Sequence, residues 1–437
     1  MTAPGPPVHA PPAGHRRSLP GPRAAGLALI VATLAAIVWA NIPGGTYDAV
    51  WHTPIDVGIG GASASFTVRD LINNALMTVF FFAVGLDVRR ELSTGELTTW
   101  RKAVIPTVAA IAGLAVPALI FLAVAWDSGS AHAWAAVISS DTAFLLAALA
   151  IVGPAAPGRL RVFLLALSVV DDIGALTVLA VFYTTDFRVI PFLLALAGLA
   201  ATWAAGRLPV VWRRPVWALL WLVTWFALLA SGIEPTLAGV AIALVMPAAR
   251  PDRRGVEDVR SLAEDFGRSP SAEAARELSR GVRQALSVNE RLQTAVAPWV
   301  SFVILPLFAL ANAGLVITPD IVAGALGSPV MWGIVAGLVV GKFVGVFGAT
   351  ALLARLRIGD FGAGIDYGRL AGGSALCGIG FTISLFVIGM AIDDAQVQNE
   401  ARLGILIAGV VSVLLASGLF RVPSRRPAEV ADASAAA

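Results

Sequence analysis

The chain has 437 residues, 57% of them hydrophobic and 14% charged, with a mean hydropathy of +0.81; soluble domains carry about 25% charged residues, so a soluble enzyme is excluded. The formal net charge of +3 comes from 31 basic and 28 acidic residues, but the basic residues form short clusters between apolar runs, not a nucleic-acid-binding face. One cysteine, Cys377, and four histidines leave no internal disulfide framework, no Cys-rich zinc site and little for a His-based metal centre.

A membrane helix needs about 20 apolar residues. In chain order that window predicts twelve spans, at 24–42, 70–87, 103–126, 133–152, 162–183, 189–206, 215–231, 235–248, 295–316, 330–353, 368–391 and 402–420. The short seventh and eighth are split by Ser231-Gly232-Ile233-Glu234-Pro235. Residues 1–23 and 421–437 read as disordered cytoplasmic tails rich in Pro, Gly, Ala and Ser. The leader before the first run is long and Pro-rich, with no small-residue cleavage site after it, so that run reads as a span and not a signal peptide. Residues 24–420 form the expected membrane domain, with a cytoplasmic loop at 249–292. Within that loop Leu278, Val282, Leu286 and Val288 have near-helical spacing, which fits a solvated helix better than a regulatory one.

Twelve alternating spans beginning in the cytoplasm place 27 of the 31 basic residues on the cytoplasmic side. Arg69, Arg188 and Arg402 fall outside or near the outer ends, and Lys342 falls within a span. This asymmetry predicts both termini in the cytoplasm.

Four charges stand where a membrane span should have none. Asp171 and Asp172 are adjacent in the fifth span, Asp141 lies in the fourth and Lys342 in the tenth. A charge at the bilayer centre costs about 2.5–3.5 kcal/mol on insertion scales. Lys342 is one of only two lysines among the 31 basic residues. Unlike arginine, a buried lysine can discharge. It reads either as a base that releases its proton or as a fixed partner of an aspartate, and both hold if they belong to different states. Adjacent helical residues point about 100° apart, so one aspartate can pair with Lys342 while the other faces water. Three carboxyl groups in a low dielectric cannot all ionise cheaply and titrate as a coupled set. A small hard cation bound through oxygen ligands would expel their protons. Such competition is the physical core of an exchanger. A purely structural polar network is the alternative.

Gly372-Gly373-Ser374-Ala375-Leu376-Cys377-Gly378-Ile379-Gly380-Phe381-Thr382 interrupts the eleventh span. Gly378 and Gly380 predict a break, since unwound backbone at membrane depth lines cavities beside transport sites. Gly372 and Gly373 fit a break or close packing equally. Ser140-Asp141-Thr142 is the counterpart in the fourth span. Asp87, amid Arg89, Arg90 and Glu91, reads as a helix-end ion-pair cluster or, grouped with Asn74, as a cation-attracting cytoplasmic funnel.

Taken in order, several segments resemble the NhaA-type sodium/proton antiporters over nearly all of 24–420. They are Asn74-Ala75-Leu76-Met77 with Val84-Gly85-Leu86-Asp87; Asp141-Thr142-Ala143-Phe144; Val170-Asp171-Asp172-Ile173-Gly174-Ala175; Thr236-Leu237-Ala238-Gly239; Leu305-Pro306-Leu307-Phe308; Gly341-Lys342; and Cys377-Gly378-Ile379-Gly380-Phe381-Thr382. The resemblance implies an all-α polytopic bundle of about twelve transmembrane helices, with inverted repeats (spans 3–5 and 10–12) and discontinuous crossed helices at spans 4 and 11. It implies an electrogenic antiporter exchanging cytoplasmic Na+ or Li+ for external H+, with no cofactor, often homodimeric, in the bacterial inner membrane. Na+ would bind at Asp172 and Asp171, with Asp172 the central ligand and proton carrier and Asp171 paired with Lys342 when sodium is absent. Asp141, with Ser140 or Thr142, would offset the ends of the broken helices, and Thr382 belongs to the second break.

The chain departs from the family at positions linked to pH response. Asn74 stands for a common acid, Glu234 for a common histidine and Gln293 for another frequent acid. A different proton-coupled transporter would need more cationic side chains than Lys342 at a roomier site. A cation channel would conduct without obligatory proton counterflow. No Ser-His-Asp order, phosphate loop or metal-ligand spacing points to an enzyme.

Overall fold

The computed structural model describes residues 21–59, 62–95, 98–154, 158–184, 186–206, 210–248, 253–358 and 366–422. The expected tails lie almost wholly outside them.

Among the described residues eight helices are long and apolar enough to span a membrane. They are α1 (Pro22–Ala40), α3 (Val68–Ser93), α4 (Trp100–Ala125), α6 (Gly158–Phe182), α12 (Val288–Asn312), α14 (Pro329–Arg355), the run Tyr367–Ala391 and α17 (Ala395–Arg421). A ninth crossing joins the 3-10 turn Ala131–Val137 to α5 (Thr142–Val152) with a 47° bend. Between α1 and α3 lies the short α2 (Thr46–Trp51). The expected sixth, seventh and eighth spans correspond to α7 (Val189–Ala205), α8 (Val210–Ser231) and α9 (Leu237–Val245). The apolar parts of α7 and α8 are shorter than the eight, and α9 has only nine residues.

Two helices begin earlier than their apolar windows suggest, because polar caps start them. Thr67 and Asp70 form a reciprocal capping box at the head of α3, as do Ser287 and Glu290 at the head of α12. Glu290 thereby belongs to the same membrane-entering helix as Gln293 and not to the end of the 249–292 loop.

The described residues are almost all helical, as the all-α expectation has it, with one short hairpin beside the helices. Pro54–Ile59 (β1) pairs antiparallel with Ala62–Thr67 (β2), with Ile59 opposite Ala62. Ile55, Val57 and Ile59 alternate with Asp56 and Gly58 ahead of Gly60-Gly61, a two-residue hairpin signal that hydropathy windows overlook. The 249–292 loop also differs from a helix running through 271–292. It holds α10 (Arg253–Arg268) and α11 (Ala272–Ala285). Leu286 is extended after α11 and Ser287 caps the next helix, so the expected periodicity ends there. Three further helices, α13 (Pro319–Gly327) and the pair α15 (Tyr367–Leu376) and α16 (Phe381–Ala391), complete the set.

The run Tyr367–Ala391 is 89% buried in its apolar window and forms the centre of the molecule. Its interruption falls at Cys377–Gly380. Gly372 and Gly373 remain inside α15, which decides for packing: a Cβ at Gly372 would meet the Phe420 ring at 2.4 Å. At Gly378 a Cβ would lie 2.3 Å from Ser412 Oγ and 2.6 Å from the Leu338 carbonyl oxygen, so only glycine allows α14 and α17 so close. Phe381 meets Phe144 edge-on at 4.9 Å, and Phe386 meets Phe81 at 5.8 Å. These contacts tie α16 to α5 and α3.

Arginines close the helix ends on one face. Arg23 Nε donates to the Ala150 carbonyl of α5 at 2.8 Å, and Arg89 Nε to the Met246 carbonyl beyond α9 at 3.2 Å. Both satisfy carbonyls at the negative end of a helix dipole.

Candidate functional site

The two interruptions meet at one carboxylate. Asp141 is the N-cap of α5, where its side chain replaces the missing intrahelical partner of the first N–H groups. Its Oδ1 accepts from the Ala143 and Phe144 amides at 3.0 and 3.1 Å. Its Oδ2 accepts from the Thr382 amide at 3.0 Å and from the Thr382 hydroxyl. The Asp141 amide donates to the Ile379 carbonyl at 2.6 Å. Asp141 therefore joins the N-terminal turns of α5 and α16, each the positive end of a helix dipole.

Asp171 and Lys342 form a sealed ion pair. Lys342 Nζ lies 2.8 Å from both oxygens of Asp171, and both residues are 0% exposed. The ammonium also donates to the Ile138 carbonyl, and the Ser140 amide donates to Asp171 Oδ2 at 2.7 Å. Both Asp171 oxygens and the bend before α5 are engaged. A buried pair with this many partners withstands its own desolvation.

Asp172 faces the other way. It is 8% exposed and accepts weakly from the Ser139 hydroxyl at 3.4 Å. With Ser140, Asp141, Thr142 and Thr382 it lines a cavity of about 280 Å3. That volume holds about nine waters at liquid density. The same cavity is lined by Asp87, Arg90 and Glu91 near the end of α3. Asp87 accepts from Gln293 of α12, and Arg90 Nη1 donates to Gln293 Oε1 at 3.5 Å. A charged mouth thus communicates with Asp172, while Asp171 is shut away behind Lys342.

Two expected site residues lie elsewhere. Asn74 stands thirteen residues before Asp87 on α3, about 20 Å along the helix, and does not line the cavity. It sits in a π-helical turn, Ile72–Leu76, so grouping it with a cytoplasmic funnel fails on helix geometry. Glu234 precedes α9, whereas Gln293 packs near the far end of that helix, where the Asn289 amide donates to the Pro247 carbonyl. The two do not form one site. Burial pushes the Glu234 carboxyl up to about 7, with Thr236 as its hydrogen-bond partner at 3.5 Å. Gly378 and Gly380 lie at the α15–α16 break. Sequence reasoning passed over Ser139; its position immediately before Ser140-Asp141 was the available signal. Among the described residues no three His, Cys, Asp or Glu side chains cluster to hold a resident metal ion.

Residues 17–420 match the family model described as Na+/H+ antiporter 1. A protein of Mycobacterium sp. (strain KMS), named Na(+)/H(+) antiporter NhaA 1, is 49% identical over 400 residues, covering 91% of this chain and 65% of the relative. The Na(+)/H(+) antiporter NhaA of Herminiimonas arsenicoxydans is 40% identical over 92% of this chain and 65% of its own length. The Na(+)/H(+) antiporter NhaA 2 of Sorangium cellulosum is 39% identical over 95% of this chain and 90% of the relative. The chain therefore spans about two thirds of the length of the first two relatives.

Proposed function

Because this multi-pass membrane chain belongs to the Na+/H+ antiporter 1 family, we propose that it exchanges cytoplasmic Na+ or Li+ for external H+. The observation that carries this reading is the unequal treatment of two adjacent aspartates. Asp171 is neutralised by Lys342, and Asp172 is presented to a cavity with a charged mouth.

In the mechanism, the cation enters past Asp87 and loses part of its water in the cavity. Asp172 supplies the central carboxylate, with hydroxyls of the broken segments close by. A proton and a small hard cation compete for those oxygens. Cation binding therefore expels protons, and protonation expels the cation. Asp171 joins the cation when Lys342 lets it go, and the Lys342 proton then leaves as well, so more protons than sodium ions move in each cycle. Asp141 and Thr382 hold the two interrupted helices together while the site changes its exposure from one side to the other. That exposure change takes place within a twelve-span bundle with inverted repeats and crossed fourth and eleventh spans, in which α7, α8 and α9 supply the short crossings. The protein acts as a homodimer in a bacterial inner membrane, with the arginine-rich face in the cytoplasm.

Everted vesicles with a pH-sensitive dye test this. Sodium should collapse an imposed pH gradient in vesicles carrying the wild type and leave it intact with Asp172→Asn. Wild-type behaviour in that variant would overturn the assignment.

A further inference from the structure

Helix α12 supplies part of the cavity wall. Between Thr294 and Asn312, Ser301 is the one residue of that helix with a hydroxyl, amide or charged side chain. It lines the cavity beside Val300 and Leu305. Ser301 lies eight residues beyond Gln293, about 12 Å further along the helix. Gln293 holds Asp87 at the mouth, so the hydroxyl stands well inside.

Local backbone structure explains why a serine points inward here. Val300–Ile304 is a π-helical turn closed by the Leu305 amide on the Val300 carbonyl. Pro306 lacks the N–H that would serve the carbonyl of Phe302, which already weakens the regular ladder at this point. The extra residue of a π turn changes which side chains share a face.

Several threonines in the other helices turn back on their own backbone. Thr33 donates to the Leu29 carbonyl at 2.8 Å, Thr78 to Asn74 at 2.6 Å and Thr350 to Val346 at 2.6 Å. Ser301 makes no such bond, and among the described residues its side chain has no protein partner. A polar oxygen kept out of the backbone network, at cavity depth in an otherwise apolar helix, is available to whatever occupies the cavity.

We infer that Ser301 is an oxygen ligand for the cation, contributed from α12 while Asp172 is contributed from α6. This deepens the exchanger reading and rests on it. Asp172, Asp141 and Thr382 come from α6 and the interrupted segments, and Ser301 from a separate helix. A cation touching both would be held more tightly when the two approach, so occupancy would favour a narrowed cavity. The hydroxyl sets affinity for the cation and carries no exchangeable proton of its own in the cycle.

The test compares Ser301→Ala and Ser301→Thr with the wild type in reconstituted proteoliposomes, reading the sodium KM and the maximal rate separately. Sodium binding to the purified full-length protein is titrated in parallel. Loss of one neutral oxygen ligand should raise KM and the dissociation constant about five-fold, with the maximal rate little changed. Ser301→Thr, which keeps the hydroxyl, should stay near the wild type. Unchanged sodium affinity in Ser301→Ala, in a population where the wild type exchanges sodium for protons, overturns the inference and spares the antiport reading. A change in maximal rate at constant KM also overturns it. A wild type that releases no protons with sodium sinks the reading and the inference together.

Discussion

Lys342 is where the charge balance of the site is set. Its ammonium holds Asp171 by both oxygens and reaches the Ile138 carbonyl at the bend before α5. Removing one member of such a pair leaves a buried charge without compensation, at a cost of about 3–5 kcal/mol. Lys342→Ala should therefore lower the melting temperature in detergent. Asp171→Asn combined with Lys342→Ala should recover much of the loss, so a double-mutant cycle should show strong coupling. Simple additivity would mean the pair is not a unit. Lys342→Arg keeps the charge but brings a larger, permanently protonated fork into a space with no exposure. Transport by that variant should fall severely or shift along the pH axis, measured by the same dye assay.

Glu234 gives a separate pH effect. Its carboxyl is raised from 4.5 to about 7 by burial. Between those values the folded protein holds a proton that the unfolded chain releases, so this residue's contribution to stability is full below pH 4.5 and declines as pH rises to 7. Glu234→Gln should flatten that part of the stability profile and raise the melting temperature relative to the wild type above pH 7. An unaltered profile would exclude Glu234 as its source. At this scale the charged residues of the site were legible because a bilayer makes them costly. Ser139 and Ser301 were not, since a hydroxyl in an apolar run carries little penalty and the π turn that aims Ser301 inward has no sequence marker stronger than Pro306.

Breaks are the elements that position these side chains. The glycines at 378 and 380 could be read as a break from residue type alone, because glycine weakens a helix, whereas the place of Asp141 at the helix ends comes only from the family resemblance. That both breaks share the same carboxylate could not be read from residue type. The Asp141–Thr382 contact spans 241 residues and exists only once α5 and α16 are placed together. The tight approach at Gly378 predicts a sharp difference between two substitutions. Gly378→Ala drives a methyl into Ser412 and into the backbone of Leu338, four residues before Lys342. Overpacking of this kind costs about 1–3 kcal/mol, and it would also displace the ammonium. Gly372→Ala meets only one edge of the Phe420 side chain and no backbone, so a turn of that ring relieves more of the clash. Gly378→Ala should lose both stability and sodium-dependent proton movement, and Gly372→Ala should lose less of each. Equal effects would show that the break itself is unimportant. The hairpin of β1 and β2 and the early starts of α3 and α12 escaped the hydropathy windows for one reason: polar caps and strand alternation act over a few residues and barely alter a twenty-residue average.

For the whole molecule, the direction of the cavity follows from charge. The mouth at Asp87, Arg90 and Gln293 lies at the end of α3 from which the chain passes to α4. Arg89, Arg90, Arg101 and Lys102 flank that connection. Basic residues are retained on the cytoplasmic side during insertion, so the proposed orientation has the cavity opening to the cytoplasm in this conformation. Helix α4 has 26 residues and is about 39 Å long, enough to cross a hydrocarbon core of about 30 Å. Its two ends give a direct test. Thr99 precedes α4 and is exposed, and Asp127 follows it and is also exposed. The native Cys377 is fully buried, so it should remain silent toward a membrane-impermeant maleimide. Thr99→Cys should react in everted vesicles and be protected in right-side-out ones, and Asp127→Cys should do the reverse. The opposite pattern would turn the cavity outward and require sodium to enter from outside, reversing the exchange. If both positions react from the same side, α4 does not cross the membrane, and the alternating path that puts Asp172 between two compartments has no physical basis.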